Sequence, residues 1–357
     1  PDCTSHLGKL KGACTVRTYF RARGRDSSRN TRRTLLTAAT SAVAIMGATL
    51  MSTPANATAP IAASVQIAAL PAITVAPPAT RAAPALRTLE NAKVQKAADG
   101  DTLWVKVGKK KNRELIRFVG VQATEIAHRG AGKNWCHGLT AKKFMNDLTK
   151  GRKVKLKGLY KSSSSLGRKY RTVFVKRDGV WVDVQAALLQ AGLGIASPDD
   201  KEWVQNRLYM TLMQQAMHQG INMWNTATCG VGPQQHLPLR VGLNWDAAGD
   251  DHVNVNDEYV VVRNDSSETV PLAGWSVRTR THAMFDFPDW ASVPPKGQVV
   301  LHVGKGNNDQ RNFYWGSSVP MFRNVDSKDS GDTAILLDPQ GDFRAYSTYP
   351  CYAGPCS

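Results

Sequence analysis

The sequence predicts two domains in tandem: an α+β domain built as a five-stranded OB barrel with helices, then an all-β sandwich. Three observations predict this. Between residues 94 and 218 short alternating strands are interrupted by one amphipathic helix before two further helical stretches, the strand and helix order of an OB barrel. From residue 237 onward the chain changes to short strands set apart by turn clusters, the spacing of an antiparallel sandwich. The charge divides at the same place. Residues 92–230 hold 25 Lys and Arg against 10 Asp and Glu, a net +15, whereas residues 231–357 hold 10 against 15, a net −5.

The elements follow in order. Leu103, Val105 and Val107 alternate with Trp104 and Lys106 in a first clear strand, after the turn Asp99-Gly100-Asp101. A second strand is expected over 115–121, with Arg117 on the face opposite Ile116 and Phe118, joined to the first by a basic turn over 108–112. A helix is expected over 138–150, because Ala141, Phe144, Met145 and Leu148 recur at helical spacing. K-V-K-L-K at 153–157 reads as a half-buried strand with a basic outer face. Strands over 170–175 and from Val180 come next, then helices over 184–190 and 200–218. In the second half, strands are expected over 258–263, 274–278, 298–303 and 333–338. Asp326, Asp329 and Asp332 read as a solvated loop, since their spacing matches no calcium loop.

The termini and linkers set the domain limits. Residues 1–57 are an extension and a secretory signal: Arg32-Arg33, an apolar run over 35–51 and the small-residue site Ala55-Asn56-Ala57. The paired arginines fit twin-arginine export, and the protein is expected to be secreted, with no stable membrane span after cleavage. Residues 58–91 are rich in Ala and Pro and read as a linker. The domains are then expected over 92–230 and 236–351.

The six cysteines suit an oxidising compartment. Cys136 is expected to pair with Cys229 and Cys351 with Cys356, while Cys3 and Cys14 would leave with the signal. Zinc binding by Cys136, His137 and Cys229 fits no standard ligand spacing.

The chemistry gathers between Asp99 and Glu125. If the two strands pair as a hairpin, the Asp101 carboxylate, Arg117 and Glu125 converge on one rim. A carboxylate for a metal, a second for a water and an arginine for a phosphate are the parts that phosphodiester hydrolysis uses.

A-D-G-D-T at 98–102, I-R-F-V-G-V-Q-A-T-E at 116–125, L-G-R at 166–168 and G-I-N-M-W at 220–224 together resemble the staphylococcal-nuclease-like (thermonuclease) family. The resemblance implies an OB barrel that hydrolyses DNA and RNA with a calcium ion. It places Arg117, Glu125 and Arg168 at catalytic positions, Glu125 as general base and the arginines on the phosphate. It places Asp101, Gln122 and Ala123 at metal positions. Gln122 stands where the family has a second Asp, and Arg171 competes with Arg168 for the arginine position.

N-D-E-Y-V-V-V-R-N-D-S-S-E-T-V-P-L-A-G-W-S-V-R at 256–278, with F-Y-W-G at 313–316 and G-D-T-A-I-L-L-D-P-Q-G at 331–341, resembles the lamin-tail domain. That implies an immunoglobulin-like sandwich with a binding or scaffolding role and a ligand the sequence does not name. The expected function is a secreted, metal-dependent nuclease acting on DNA or RNA. The alternatives are a catalytically silent OB module that binds nucleic acid through its basic face, and a cell-surface scaffold.

Overall fold

The computed structural model describes residues 84–109, 112–127, 134–229, 236–281 and 283–357. The expected signal, Cys3 and Cys14 lie outside them. All of the described residues fall in one compact unit spanning 63–357. Among them, no helix is long and apolar enough to cross a membrane.

The barrel is closed by five strands. Glu114–Phe118, Thr102–Val107, Arg87–Ala97, Lys153–Gly158 and Arg168–Arg177 pair in that order, and the ring shuts where Ile116 lies parallel to Lys169. The strand Arg87–Ala97 starts inside the stretch expected as linker. Its inward residues are only Ala92, Val94 and Ala97, with an irregularity after Val94 that breaks the alternation. That leaves too weak an apolar pattern to mark it in the sequence.

The strand expected over 115–121 is two strands. Glu114–Phe118 ends in a turn at Gly120, with φ +69°, and Val121–Ala123 pairs instead with Gly194–Ala196. The helix Gly138–Thr149 buries Ala141, Phe144, Met145 and Leu148, as its spacing predicts. The helix expected from 200 begins later, with a short 3-10 turn Trp203–Gln205 and then Asn206–His218. Glu202 is buried instead, and its carboxylate accepts from the backbone N–H groups of Leu159 and Tyr160 and from the Ser163 hydroxyl.

The second half is a sandwich of two four-stranded sheets. One holds Leu239–Asn244, Tyr259–Asn264, Gln298–His302 and Asn312–Tyr314. The other holds Met284–Asp286, Ser276–Thr279, Asp332–Leu337 and Phe343–Tyr349. Trp275, Val277, Val260, Val262, Phe313 and Leu336 lie among the residues filling the space between them.

The two domains share a wall. All six residues of Asp332–Leu337 are buried. Successive side chains of a strand point to opposite faces. Ala334 and Leu336 join the sandwich core, while Ile335 and Leu337 join the barrel core with Phe343. The run A-I-L-L is therefore a strand covered on both faces. Trp224 packs edge-on against Tyr346 and Phe343, at 5.3 and 5.9 Å. Gln214, fully buried in Asn206–His218, donates to the Pro350 carbonyl at 2.7 Å and accepts from Tyr352 and Ala353 N–H groups. One face of the second sheet is thus taken up by the barrel and is not open to a separate ligand.

Asp332, expected in a solvated loop, is buried and paired with Arg280 at 2.9 Å, and Arg280 also donates to the Ser197 hydroxyl. The loop stops at Ser330 because β-pairing begins at Asp332, opposite Tyr349.

Both expected disulfides are present, Cys136–Cys229 and Cys351–Cys356. The first closes 93 residues of chain and holds the start of the helix Gly138–Thr149 to the end of the barrel domain.

Glu258 carries a pH prediction. It is fully buried, and its carboxylate accepts from the Met321 N–H at 2.8 Å. Burial pushes its pKa up from 4.5 to about 7. The folded state then holds a proton that the unfolded chain has released, so stability falls as pH rises from about 4.5 to about 7. Melting temperature is expected to drop across that window, and Glu258→Gln to flatten the drop while keeping an oxygen for Met321. An unchanged slope in the variant refutes the assignment.

Candidate active site

The turn Asp99-Gly100-Asp101 enters the barrel against the start of the helix. A Cβ on Gly100 would stand 2.5 Å from the Ala123 Cβ and 2.8 Å from that of Ala141, so only glycine lets the turn sit this close. The closeness brings Asp101 to Ala123, whose N–H donates to Asp101 Oδ2 at 2.8 Å. Asp101 Oδ1 accepts from the Thr102 hydroxyl at 3.0 Å and pairs with Arg117.

Arg117 differs from its expected placement. It lies opposite Thr102 in the hairpin and is buried, as Ile116 and Phe118 are. The burial is tolerated because its guanidinium meets Asp101 and the Gln122 side-chain oxygen. The Gln122 amide in turn donates from Nε2 to Glu125 Oε1 at 3.2 Å. Asp101, Arg117, Gln122 and Glu125 therefore form one continuous polar chain, closed by the turn at Gly120 that the sequence pattern did not reveal.

Glu125 is held through its backbone. Its carbonyl accepts from Trp135 N–H at 2.9 Å, and a Cβ on Gly138 would meet that same oxygen at 2.5 Å. Trp135 adjoins the disulfide at Cys136, so the loop's return is fixed covalently.

Arg168 opens its strand from a tight turn in which Leu166 and Gly167 have φ +48° and +73°. It is half-buried, with Nη1 3.5 Å from the Thr102 hydroxyl, next to Asp101. Its rival is turned to another task. Arg171 is buried and its guanidinium donates to the carbonyls of Lys161, Ser163 and Tyr170, a structural task that holds the loop.

Asp99, expected only as a turn residue, joins the site. Its Oδ1 accepts from Asp101 N–H at 3.0 Å. Burial first, and then the neighbouring Asp101 charge, push its pKa up to about 7. An open groove of about 900 Å³ leads to this side of the site, lined by Asp99, Thr102 and Arg168 together with Trp104, Lys142 and Lys150. Lysines beside an aromatic are the lining that a single nucleic-acid strand uses. On the outer barrel face, Lys155 sits over Trp181 and Lys157 over Phe174, at 4.2 and 4.3 Å.

Comparison with known families identifies both domains. The family described as staphylococcal nuclease homologue matches residues 115–226, and the lamin tail domain matches residues 244–350. The chain carries a staphylococcal-nuclease-like domain followed by a lamin tail domain. No curated protein matches it. The matched stretch contains Arg117, Gln122, Glu125 and Arg168 and begins after Asp101, which the hairpin adds.

Domains of this kind are generally calcium-dependent. The donors here do not fit a calcium centre. Calcium takes six to eight oxygens, several of them charged. At the three positions the resemblance assigns, Asp101 offers the one carboxylate, and both of its oxygens already accept from protein donors. The Gln122 oxygen is engaged by Arg117, and Ala123 has only an uncharged backbone carbonyl to offer.

Proposed function

We propose that this protein is an exported phosphodiester hydrolase that cleaves DNA or RNA strands. The observation that carries the reading is the continuous chain from Arg117 through the Gln122 amide to the Glu125 carboxylate, joined through Asp101 to Thr102, which lines the lysine-bearing groove with Arg168. It puts a phosphate-binding guanidinium and a proton acceptor on one connected element. Two disulfides support export, since such bridges persist in oxidising compartments.

In this mechanism the strand lies in the groove with its phosphates on Lys142, Lys150 and Arg168. Arg117 and Arg168 bind the non-bridging oxygens of the scissile phosphate, a task suited to the planar guanidinium fork. Glu125 takes a proton from water as the water oxygen attacks phosphorus. The bond from phosphorus to the leaving oxygen breaks, and that oxygen is protonated from solvent. The products are a phosphate monoester and a free hydroxyl. The two guanidinium charges offset the negative charge that grows on the phosphate oxygens.

The test is incubation of the purified protein with DNA and RNA oligonucleotides, with and without calcium, with binding measured in parallel. Cleavage products are expected, and affinity that falls as salt rises, because lysine contacts to phosphates release counterions. Binding without cleavage of either polymer would instead favour a silent nucleic-acid-binding module, a reading that the loss of an acidic residue at Gln122 supports.

A further inference from the structure

The strand Ser276–Thr279 of the lamin tail domain passes beside the site. Arg278 lies directly opposite Ile335. Cross-strand partners share a face, so Arg278 points with Ile335 toward the barrel domain. Its side chain is fully buried, and none of its three guanidinium nitrogens has a hydrogen-bond partner. Trp135 lies against it, with the ring centre 4.6 Å from the guanidinium carbon. This is the same Trp135 whose N–H holds the Glu125 carbonyl.

The charges facing Arg278 are those of Glu125 and Asp101, and both favour its protonated form. Burial lowers its pKa to about 10, which leaves it charged at neutral pH. A buried guanidinium without hydrogen bonds is costly, and an apolar side chain of similar volume would pack there at lower cost. Gln122 changes the site in the same sense. It removes a negative charge where a divalent ion would need one, while Arg278 brings a positive charge to the same carboxylates. Calcium there would meet the repulsion of a fixed cation beside carboxylates that already balance Arg117 and Arg278.

We propose that Arg278 supplies the fixed positive charge of the hydrolytic site in place of a bound divalent ion, so that strand cleavage by this chain needs no metal. The proposal rests on the hydrolase reading. Arg278 is a positioning residue: it acts through its field on the reacting phosphate and, by way of Trp135, on the seat of Glu125. A fixed charge in a water-poor site acts over several ångströms and needs no reorganisation during reaction. The lamin tail domain then completes the active site of the barrel, which the shared wall of Asp332–Leu337 makes rigid enough to do.

The experiment compares the whole protein with Arg278→Met and Arg278→Lys, each assayed in EDTA and in calcium, with calcium binding followed by calorimetry. The parent is expected to cut equally well in EDTA and to show no calcium binding. Arg278→Met should fold, since it removes an unpaired buried charge. It should cut about 10²–10³-fold more slowly, the usual loss for one electrostatic group. Arg278→Lys should recover part of that loss, which a merely structural role for the side chain does not explain. Cleavage that requires calcium, or Arg278→Met as active as the parent, overturns the proposal. A parent that cuts nothing in any buffer sinks the hydrolase reading and this proposal with it, whereas calcium dependence or calcium binding in a parent that cuts sinks this proposal alone. In a parent that cuts, calcium binding gained only in the double variant Gln122→Asp with Arg278→Met upholds it.

Discussion

Glu125→Gln is expected to lower turnover by about 10²–10⁴-fold, the range a general base contributes, while leaving oligonucleotide affinity unchanged. Glutamine keeps an oxygen to accept the 3.2 Å bond from Gln122 Nε2, so the polar chain survives. What it loses is the ability to take a proton from water. Single-turnover cleavage and equilibrium binding, measured on the same oligonucleotide, separate the two effects. A variant that cuts as fast as the parent leaves the fold intact but places the base elsewhere. Asp99, already held near neutral pH at the mouth of the groove, is then the first carboxylate to examine.

Arg117→Ala is expected to produce a loss in both activity and stability. Turnover should fall about 10²–10³-fold, as for other residues whose partner is fully charged only in the transition state. Stability should fall by about 3–5 kcal/mol, because the buried Asp101 carboxylate loses its partner guanidinium. Both members of this pair are more than nine-tenths buried. The double variant Arg117→Ala with Asp101→Ala separates the effects. Removing both partners should restore much of the stability and none of the turnover. Thermal denaturation and cleavage rates check this. If the double variant melts no higher than Arg117→Ala, the two residues are not an energetic pair. If Arg117→Ala cuts at the parental rate, the phosphate is held by other groups.

The two expected losses come from residues that the sequence had already brought forward, but for different reasons than the sequence offered. Arg117 reads as a solvent-side residue of a two-faced strand. The structure buries it against Asp101. Alternation reports which side of a strand a residue is on. It does not report what covers that side, and here the turn at Gly120 folds Gln122 over Arg117. Gln122 was legible only as a missing carboxylate. Its use as an amide joining a guanidinium to Glu125 depends on which of its two ends meets which neighbour, and that is a matter of geometry.

The sequence by itself determined the order and the type of the two domains. Period-two patterns, helical spacing over 138–150 and turn clusters are local signals, and local signals survive in a single chain. It also supplied the residue types available at the site and an expectation of the two disulfide pairings that the structure contains. Only the tertiary structure decided three further things. The placing of Arg168 and Arg171 is one: Arg168 lies beside Thr102, while Arg171 spends its donors on the carbonyls of Lys161 and Ser163. The first strand, Arg87–Ala97, needed its neighbours on both sides to exist at all, because its own apolar pattern is weak. The fusion of the two domains lay outside any local pattern as well. A strand such as Asp332–Leu337 reads as apolar on both faces, yet the sequence does not say whose core each face will fill. Ile335 and Arg278 face the barrel because the second sheet docks there, a contact between residues far apart in the chain that no local pattern encodes.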